Sequence, residues 1–269
     1  MTETFDVVVI GGGSSGENAG GRAAAAGLSV ALVESDLVGG ECSYWACMPS
    51  KALLRPGEAL AAVRRVPGAR EAVAGDLDTA AALQRRDGLA SDWDDRSQVQ
   101  WVENVGMTLV RGHGRLAGER RVEVATPDGA VRRLEVRRGV VLAVGTCAAI
   151  PPVEGLRDIR VWDNRDITSA KEVPERLLIL GGGVVGVEMA QAWRWLGARE
   201  VTIVEMQDRL LSSEEPFAAE ELTHAFEELG IVVRTGARME AVHRAGNGLV
   251  TATLGDGSVL NADELLVAV

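Results

Sequence analysis

The chain has 269 residues, 46% of them apolar, and 32 glycines spread among its turns, enough for two domains that each bury a core. Its 39 acids against 28 lysines and arginines give a formal charge of −11. That balance excludes a phosphate backbone or an anionic membrane as partner, since both attract basic surfaces, and leaves a small molecule. The first six residues carry acids where a secretory signal carries bases, and no stretch nears the ~20 apolar residues of a membrane span. A cytoplasmic location is therefore expected.

Residues 5–10 (FDVVVI) predict a strand that stops at Gly11-Gly12-Gly13-Ser14-Ser15-Gly16, and an alanine-rich helix follows over 18–27. A second strand over 29–33 closes on Glu34. Gly11, Gly13 and Gly16 fit G-x-G-x-x-G: one glycine for the turn, one for close approach of a pyrophosphate, one for helix packing. Glu34 stands where a carboxylate accepts hydrogen bonds from a ribose. A tight turn alone would explain the glycines, but strand, helix, second strand and acid together predict a dinucleotide site.

The next stretch is Gly39-Gly40-Glu41-Cys42-Ser43-Tyr44-Trp45-Ala46-Cys47-Met48-Pro49-Ser50-Lys51. A helix beginning near Cys42 would favour thiolate over thiol there. Residues five apart on a regular helix face different ways, so a bond between the two sulfurs requires a distorted first turn or a loop. In the cytoplasm, cysteine pairs that oxidise are mostly catalytic or sensing. Two buried, inert cysteines are the other reading of C-x4-C. Cys147, alone, is expected to be small and buried.

A helix is expected to carry on over 51–66, and one or two polar helices over 79–98. Trp93 and Trp101, beside Asp92, Asp94 and Asp95, read as surface packing. Alternating runs at 107–110, 121–125 and 131–136, the last two joined by Pro127-Asp128-Gly129, predict a small antiparallel meander. Residues 139–144 read as a separate buried strand, and Pro151-Pro152 as the exit from the first domain.

The first unit then recurs. Gly11, Gly13 and Gly16 return as Gly181, Gly183 and Gly186, with Val184 and Val185 between them, and Glu34 returns as Glu205. A strand over 177–180 precedes the second loop, a helix to about 196 and a strand over 201–204 follow it, then a helix over 218–229, a strand over 231–234 and a hairpin between 239 and 260. The final run, 265–269, repeats 140–144. Two copies of a nucleotide-binding unit imply two adenine dinucleotides and electron transfer between them. The predicted fold is α/β: two Rossmann-like, doubly wound, three-layer domains, each with a small antiparallel meander, at 1–155 and 156–269. His224 and His243 stand singly, and no metal is assigned.

These motifs, in this order, resemble the pyridine nucleotide-disulfide oxidoreductases of the dihydrolipoamide dehydrogenase, glutathione reductase and mercuric reductase type, over the whole chain. The resemblance implies FAD in the first domain, with Gly11, Gly13, Ser14, Ser15, Gly16, Glu34, Gly40, Glu41, Cys42, Lys51, His113, Gly114, Ala143, Val144 and Gly145 around it. It implies NAD(H), favoured over NADP(H) by the Glu205 carboxylate, at Gly181, Gly183, Val184, Val185, Gly186, Glu205, Met239 and Ala268. Cys42, Cys47, Lys51 and Glu188 become the catalytic group. Electrons would pass from nicotinamide through flavin to a Cys42–Cys47 disulfide, Cys47 lying by the flavin and Cys42 exchanging with the substrate, while Lys51 and Glu188 form a buried ion pair near flavin N5.

The sequence also departs from the family. Glu41 replaces a threonine, Tyr44-Trp45-Ala46 replaces a smaller turn and implies an altered substrate approach, and Val144 replaces the threonine of Ala-Thr-Gly. The end of the FAD domain, the C-terminal dimerisation domain and its His-Glu pair are not among these residues, so the native chain is expected to continue and to form a homodimer. No general base for thiol exchange can be named. The expected activity is NAD(P)H-dependent reduction of a small-molecule or protein disulfide. A non-catalytic redox sensor, or a flavin NADH oxidase or quinone reductase with idle cysteines, are the alternatives.

Overall fold

A computed structural model describes residues 2–269. In chain order the first half holds β1 (Thr2–Ile10), α1 (Ser14–Ala25), β2 (Val30–Glu34), α2 (Gly40–Tyr44), α3 (Cys47–Arg64), α4 (Thr79–Leu89), α5 (Arg96–Asn104), β3 (Thr108–Arg111), β4 (His113–Leu116), β5 (Arg121–Ala125) and β6 (Val131–Leu142). The second half holds α6 (Asn164–Ser169), β7 (Arg176–Leu180), α7 (Val184–Trp195), β8 (Glu200–Val204), α8 (Pro216–Glu228), β9 (Ile231–Arg234), β10 (Met239–Arg244), β11 (Val250–Leu254), β12 (Val259–Ala262) and β13 (Glu264–Val267). Among the described residues, no helix is long and apolar enough to cross a membrane.

Two compact units emerge. One joins 2–48 with Ala90–Thr146, the other Pro49–Leu89 with Cys147–Val269. The division differs from a cut at 155/156: the helices of 49–89 group with the second unit, as does 147–155.

In the first unit the strand order is β3-β2-β1-β6-β5-β4, with β3, β2, β1 and β6 parallel and β6, β5 and β4 antiparallel. Alternate residues of a strand face opposite ways, so the apolar β1 feeds two cores. Val8 and Ile10 pack with Val122, Val124, Leu134 and Val136 of the meander, and Val9 packs with Leu32, Val102 and Met107 on the other face.

Two expectations change here. Residues 131–136 and 139–144 do not form separate strands: β6 runs through the first and on to Leu142 in the second, with its pairing to β1 shifting between Phe5 and Val7. Arg137-Arg138-Gly139 read as a break because a bulge sits there. This stretch is also less buried than expected, with Leu142 at the end of β6 58% exposed and Val144, beyond it, 68%. The run at 107–110 belongs to the parallel sheet as β3, and β4 takes its place in the meander after the chain turns at Gly112.

In the second unit a parallel sheet, β13-β7-β8-β9, carries a core of Ile179, Trp193, Ile203 and Phe226 on its helical face. Its other face packs Leu178, Val204 and Leu265 against Met239, Val250 and Ala252 of the three-stranded sheet β10-β11-β12. Both units are thus α/β layers of helices, parallel strands and a small antiparallel sheet. The short α6 went unpredicted. It is fixed by a capping box in which Asp163 accepts from the Arg165 and Asp166 amides, and Asp166 accepts from the Asp163 amide.

Candidate functional site

In the first unit the candidate residues gather at the carboxyl ends of β1, β2 and β6, where the strand order reverses direction; ligands of open α/β sheets bind at such switch points. Gly11 has φ +103°, and a Cβ there would lie 2.1 Å from the Ala143 carbonyl oxygen. Only glycine lets the loop and β6 approach so closely. A Cβ on Gly16 would lie 1.9 Å from the Gly11 oxygen, which sets α1 tight against the turn. Gly13 caps α1 without a side chain, so the amides around Ser14 and Ser15 face outward as an anion cradle. Glu34 accepts the Gly12 amide at 2.6 Å and the Asp36 amide at 2.7 Å. Gly114 packs on Val33 and Ile10, beside an exposed His113, and the Ala143 amide donates to the Ile10 oxygen at 2.8 Å. Val144 and Gly145 follow, exposed.

The cysteine segment starts on that same loop. The Gly39 amide donates to the Gly12 oxygen at 2.8 Å, and a Cβ on Gly40 would meet Gly13 Cα at 2.7 Å. Helix α2 carries Glu41 and Cys42, ends at Tyr44, and is separated from α3, which begins at Cys47. In between, the Trp45 and Ala46 amides both turn back to the Glu41 oxygen, at 2.8 and 2.6 Å. The distortion that the spacing requires is present. Cys42 is half-buried and Cys47 exposed.

Tyr44 corrects one expectation. Its side chain is 2% exposed, with its hydroxyl donating to the Val38 oxygen at 3.0 Å, so it braces the loop from within and does not face a substrate. Burial, with the charges of Asp95, Glu17 and Asp94, pushes its phenol up to about 12 and keeps it a donor. Trp93 is more than surface packing, since its indole N–H donates to the Tyr44 oxygen at 3.1 Å. Cys147 is exposed rather than buried, because 143–150 runs as irregular chain without strand partners to cover it.

The second unit repeats the first loop's geometry. A Cβ on Gly181 would lie 2.5 Å from the Ala268 oxygen, Gly183 caps α7, and Gly186 packs on the Gly181 oxygen. Glu205 accepts the Gly182 amide at 2.6 Å and the Gln207 amide at 2.7 Å, the contacts that Glu34 makes. A cleft of 590 Å³ opens here, lined by Gly181, Gly183, Val184, Glu205, Met239 and Ala268 among others. Val184 is 60% exposed and Val185 39%. Sequence reading missed Ser212, Ser213 and Arg238 on the cleft wall, although Arg238 directly precedes Met239. Lys51 Nζ lies 3.1 Å from Glu188 Oε1, as expected, but the lysine side chain is 65% exposed; the pair forms in solvent, not in the interior.

A profile described as pyridine nucleotide-disulphide oxidoreductase matches residues 5–269. The chain belongs to this family. Among its relatives, a dihydrolipoyl dehydrogenase of Chlorobaculum tepidum is 35% identical over 274 residues, covering 100% of this chain and 58% of that protein. A mercuric reductase of Streptomyces lividans is 34% identical over 269 residues, covering 98% of this chain and 56% of that protein. In structure, the HOCl-induced flavoprotein disulfide reductase RclA from Escherichia coli superposes with a TM-score of 0.83 at 23% identity, over 98% of this chain and 56% of that one, which shows the shared fold. The chain therefore spans somewhat over half the length of these proteins.

Proposed function

We propose that the chain is the nucleotide-binding part of an NADH-dependent flavoprotein disulfide reductase, with Cys42 and Cys47 as its redox pair. The observation that carries this reading is the interrupted cysteine helix seated on the first glycine loop through the contact between Gly39 and Gly12. FAD fits that loop: Gly11 and Gly16 let the turn close tightly on Ala143 and on α1, and the start of α1, which no side chain caps, suits a pyrophosphate. When bound, FAD supplies two-electron transfer between a nicotinamide and a disulfide.

The residues divide that work. Gly11, Gly13, Ser14, Ser15 and Gly16 hold the flavin pyrophosphate, Glu34 its ribose, and Gly40, Glu41, His113, Gly114, Ala143, Val144 and Gly145 the rest of its outline. Gly181, Gly183, Val184, Val185 and Gly186 hold NAD(H), with Met239 and Ala268 along it, and Glu205 accepts a ribose hydroxyl where it would repel a 2′-phosphate. Lys51, paired with Glu188, is the positive charge that the family resemblance implies beside the flavin. Cys42, as thiolate, attacks one sulfur of the substrate disulfide, forms a mixed disulfide and releases the first thiol. Cys47 then attacks the Cys42 sulfur, releases the second thiol and closes the Cys42–Cys47 bond. Two electrons pass from the cysteines to the substrate, and their two protons end on the departing thiols. The resemblance to the family supports a dimeric full-length protein, and the acids of the first six residues a cytoplasmic one.

The test is anaerobic reduction of the full-length protein with NADH, and separately NADPH, while its spectrum is recorded. A long-wavelength band at two electrons, lost in Cys47→Ser together with disulfide reduction, is the expected result. Failure to retain flavin, or disulfide turnover undiminished in Cys42→Ser and Cys47→Ser, overturns the reading.

A further inference from the structure

Ser91, Asp92 and Trp93 have φ of +51°, +50° and +56°. Residues with side chains enter this left-handed region singly and at a cost, so three in succession need a reason. The turn Ser91–Trp93 delivers the Trp93 indole N–H to the Tyr44 oxygen at 3.1 Å. Two residues on, Asp95 Oδ2 accepts the Val38 amide at 2.8 Å and the Arg111 guanidinium. The Tyr44 hydroxyl closes the circuit on the Val38 oxygen at 3.0 Å. Val38 lies just before α2 and Tyr44 ends it. Both ends of the helix that carries Cys42 are thus tied to the segment 93–95.

We propose that Trp93 is a positioning residue for the Cys42–Cys47 pair, and that its indole N–H keeps α2 and α3 from fusing into one helix. In a continuous helix the Tyr44 carbonyl would accept from the Met48 amide, four residues on. With the indole on that carbonyl and the Ala46 amide turned to Glu41, five residues back rather than four, the winding stops and restarts at Cys47. A fused helix would set residues five apart about 140° round its axis, with their sulfurs out of bonding reach. The Trp93 contact therefore governs how readily the pair closes. Tyr44, through its hydroxyl and its carbonyl, serves this clamp rather than substrate choice. The inference rests on the reading of Cys42 and Cys47 as a redox pair.

The experiment equilibrates the full-length protein in mixtures of oxidised and reduced dithiothreitol, traps free thiols with N-ethylmaleimide and counts them by mass. Oxidised dithiothreitol takes two electrons and two protons from the pair as the disulfide closes. Trp93→Phe keeps a ring and removes the N–H; its midpoint should move roughly tenfold in the dithiothreitol ratio toward the open dithiol. Trp101→Phe, whose ring packs on Gly21, should leave the midpoint in place. Asp95→Ala, which frees Val38 at the other end of α2, should move it in the same direction as Trp93→Phe and carries the test if that variant does not fold. A wild-type midpoint in whichever of these two variants folds overturns the positioning role and leaves the redox pair standing. A wild-type protein whose cysteines never close overturns the redox reading itself.

Discussion

Lys51 and Glu188, 137 positions apart in the chain, meet at 3.1 Å with the lysine side chain 65% exposed. A pair so open to water contributes about 0–1 kcal/mol to stability. On the proposed function, its value lies in where it puts charge. Lys51→Met and Glu188→Gln should each leave the denaturant midpoint within about 1 kcal/mol of wild type, while NADH-driven disulfide reduction falls at least ~10-fold. A large loss of stability with intact turnover would make the pair structural.

Glu205 offers both carboxylate oxygens to amides of its own loop. On the proposed function, Glu205→Ala removes the ribose acceptor; it also releases the Gly182 and Gln207 amides. NADH binding should weaken about tenfold, as for loss of one charged hydrogen bond, with NADPH binding weakened less. Titration of each nucleotide against the variant checks this; equal losses would mean that Glu205 does not read the 2′ position.

Glu17, in the first turn of α1, has one carboxylate oxygen buried without a hydrogen-bond partner, and burial raises its carboxyl above the ordinary glutamate range. The folded state holds this proton more tightly than the unfolded chain. Stability on this account is full below the unfolded value and declines as pH rises from there through the raised one. Glu17→Gln should raise the Tm by a few degrees at pH 7 and barely alter it at pH 4.

Asp6 titrates with the opposite sign. The Ser29 amide at 2.9 Å, then the Ser29 hydroxyl at 2.7 Å, with Arg137 nearby, lower its carboxyl to about 2 despite some desolvation. Its contribution is present above the ordinary aspartate range and is lost as pH falls toward 2. Asp6→Asn should flatten the acid limb of a Tm-against-pH curve between about 4 and 2 and leave the Glu17 limb unchanged.

The glycine loops, their acids and the doubled unit were legible because each needs particular residue types at particular spacing: no other residue fits beside the Ala143 or Ala268 oxygen, and both acids lie one strand away from their loops. The helix break at Trp45 and Ala46 was legible from the cysteine spacing. What stayed hidden depends on partners distant in sequence. Cys147, expected to be buried because it stands alone among the cysteines, is exposed, since no strand covers that stretch. The grouping of Pro49–Leu89 with the second unit follows from packing of Leu53, Ala82 and Leu83 into its core, which no local pattern announces. Trp93 looked like surface because its work is done by one N–H on a carbonyl 49 positions away.

Strand β6 spans Val131–Leu142, bonded to β5 at its start and to β1 along its length. A rod gripped at both ends cannot loosen at one without strain at the other. The carbonyl that Gly11 nestles against, Ala143, is thus steadied by Val122 and Val124, which never face the nucleotide loop. Softening the meander would blur the first loop from a distance, through the backbone alone.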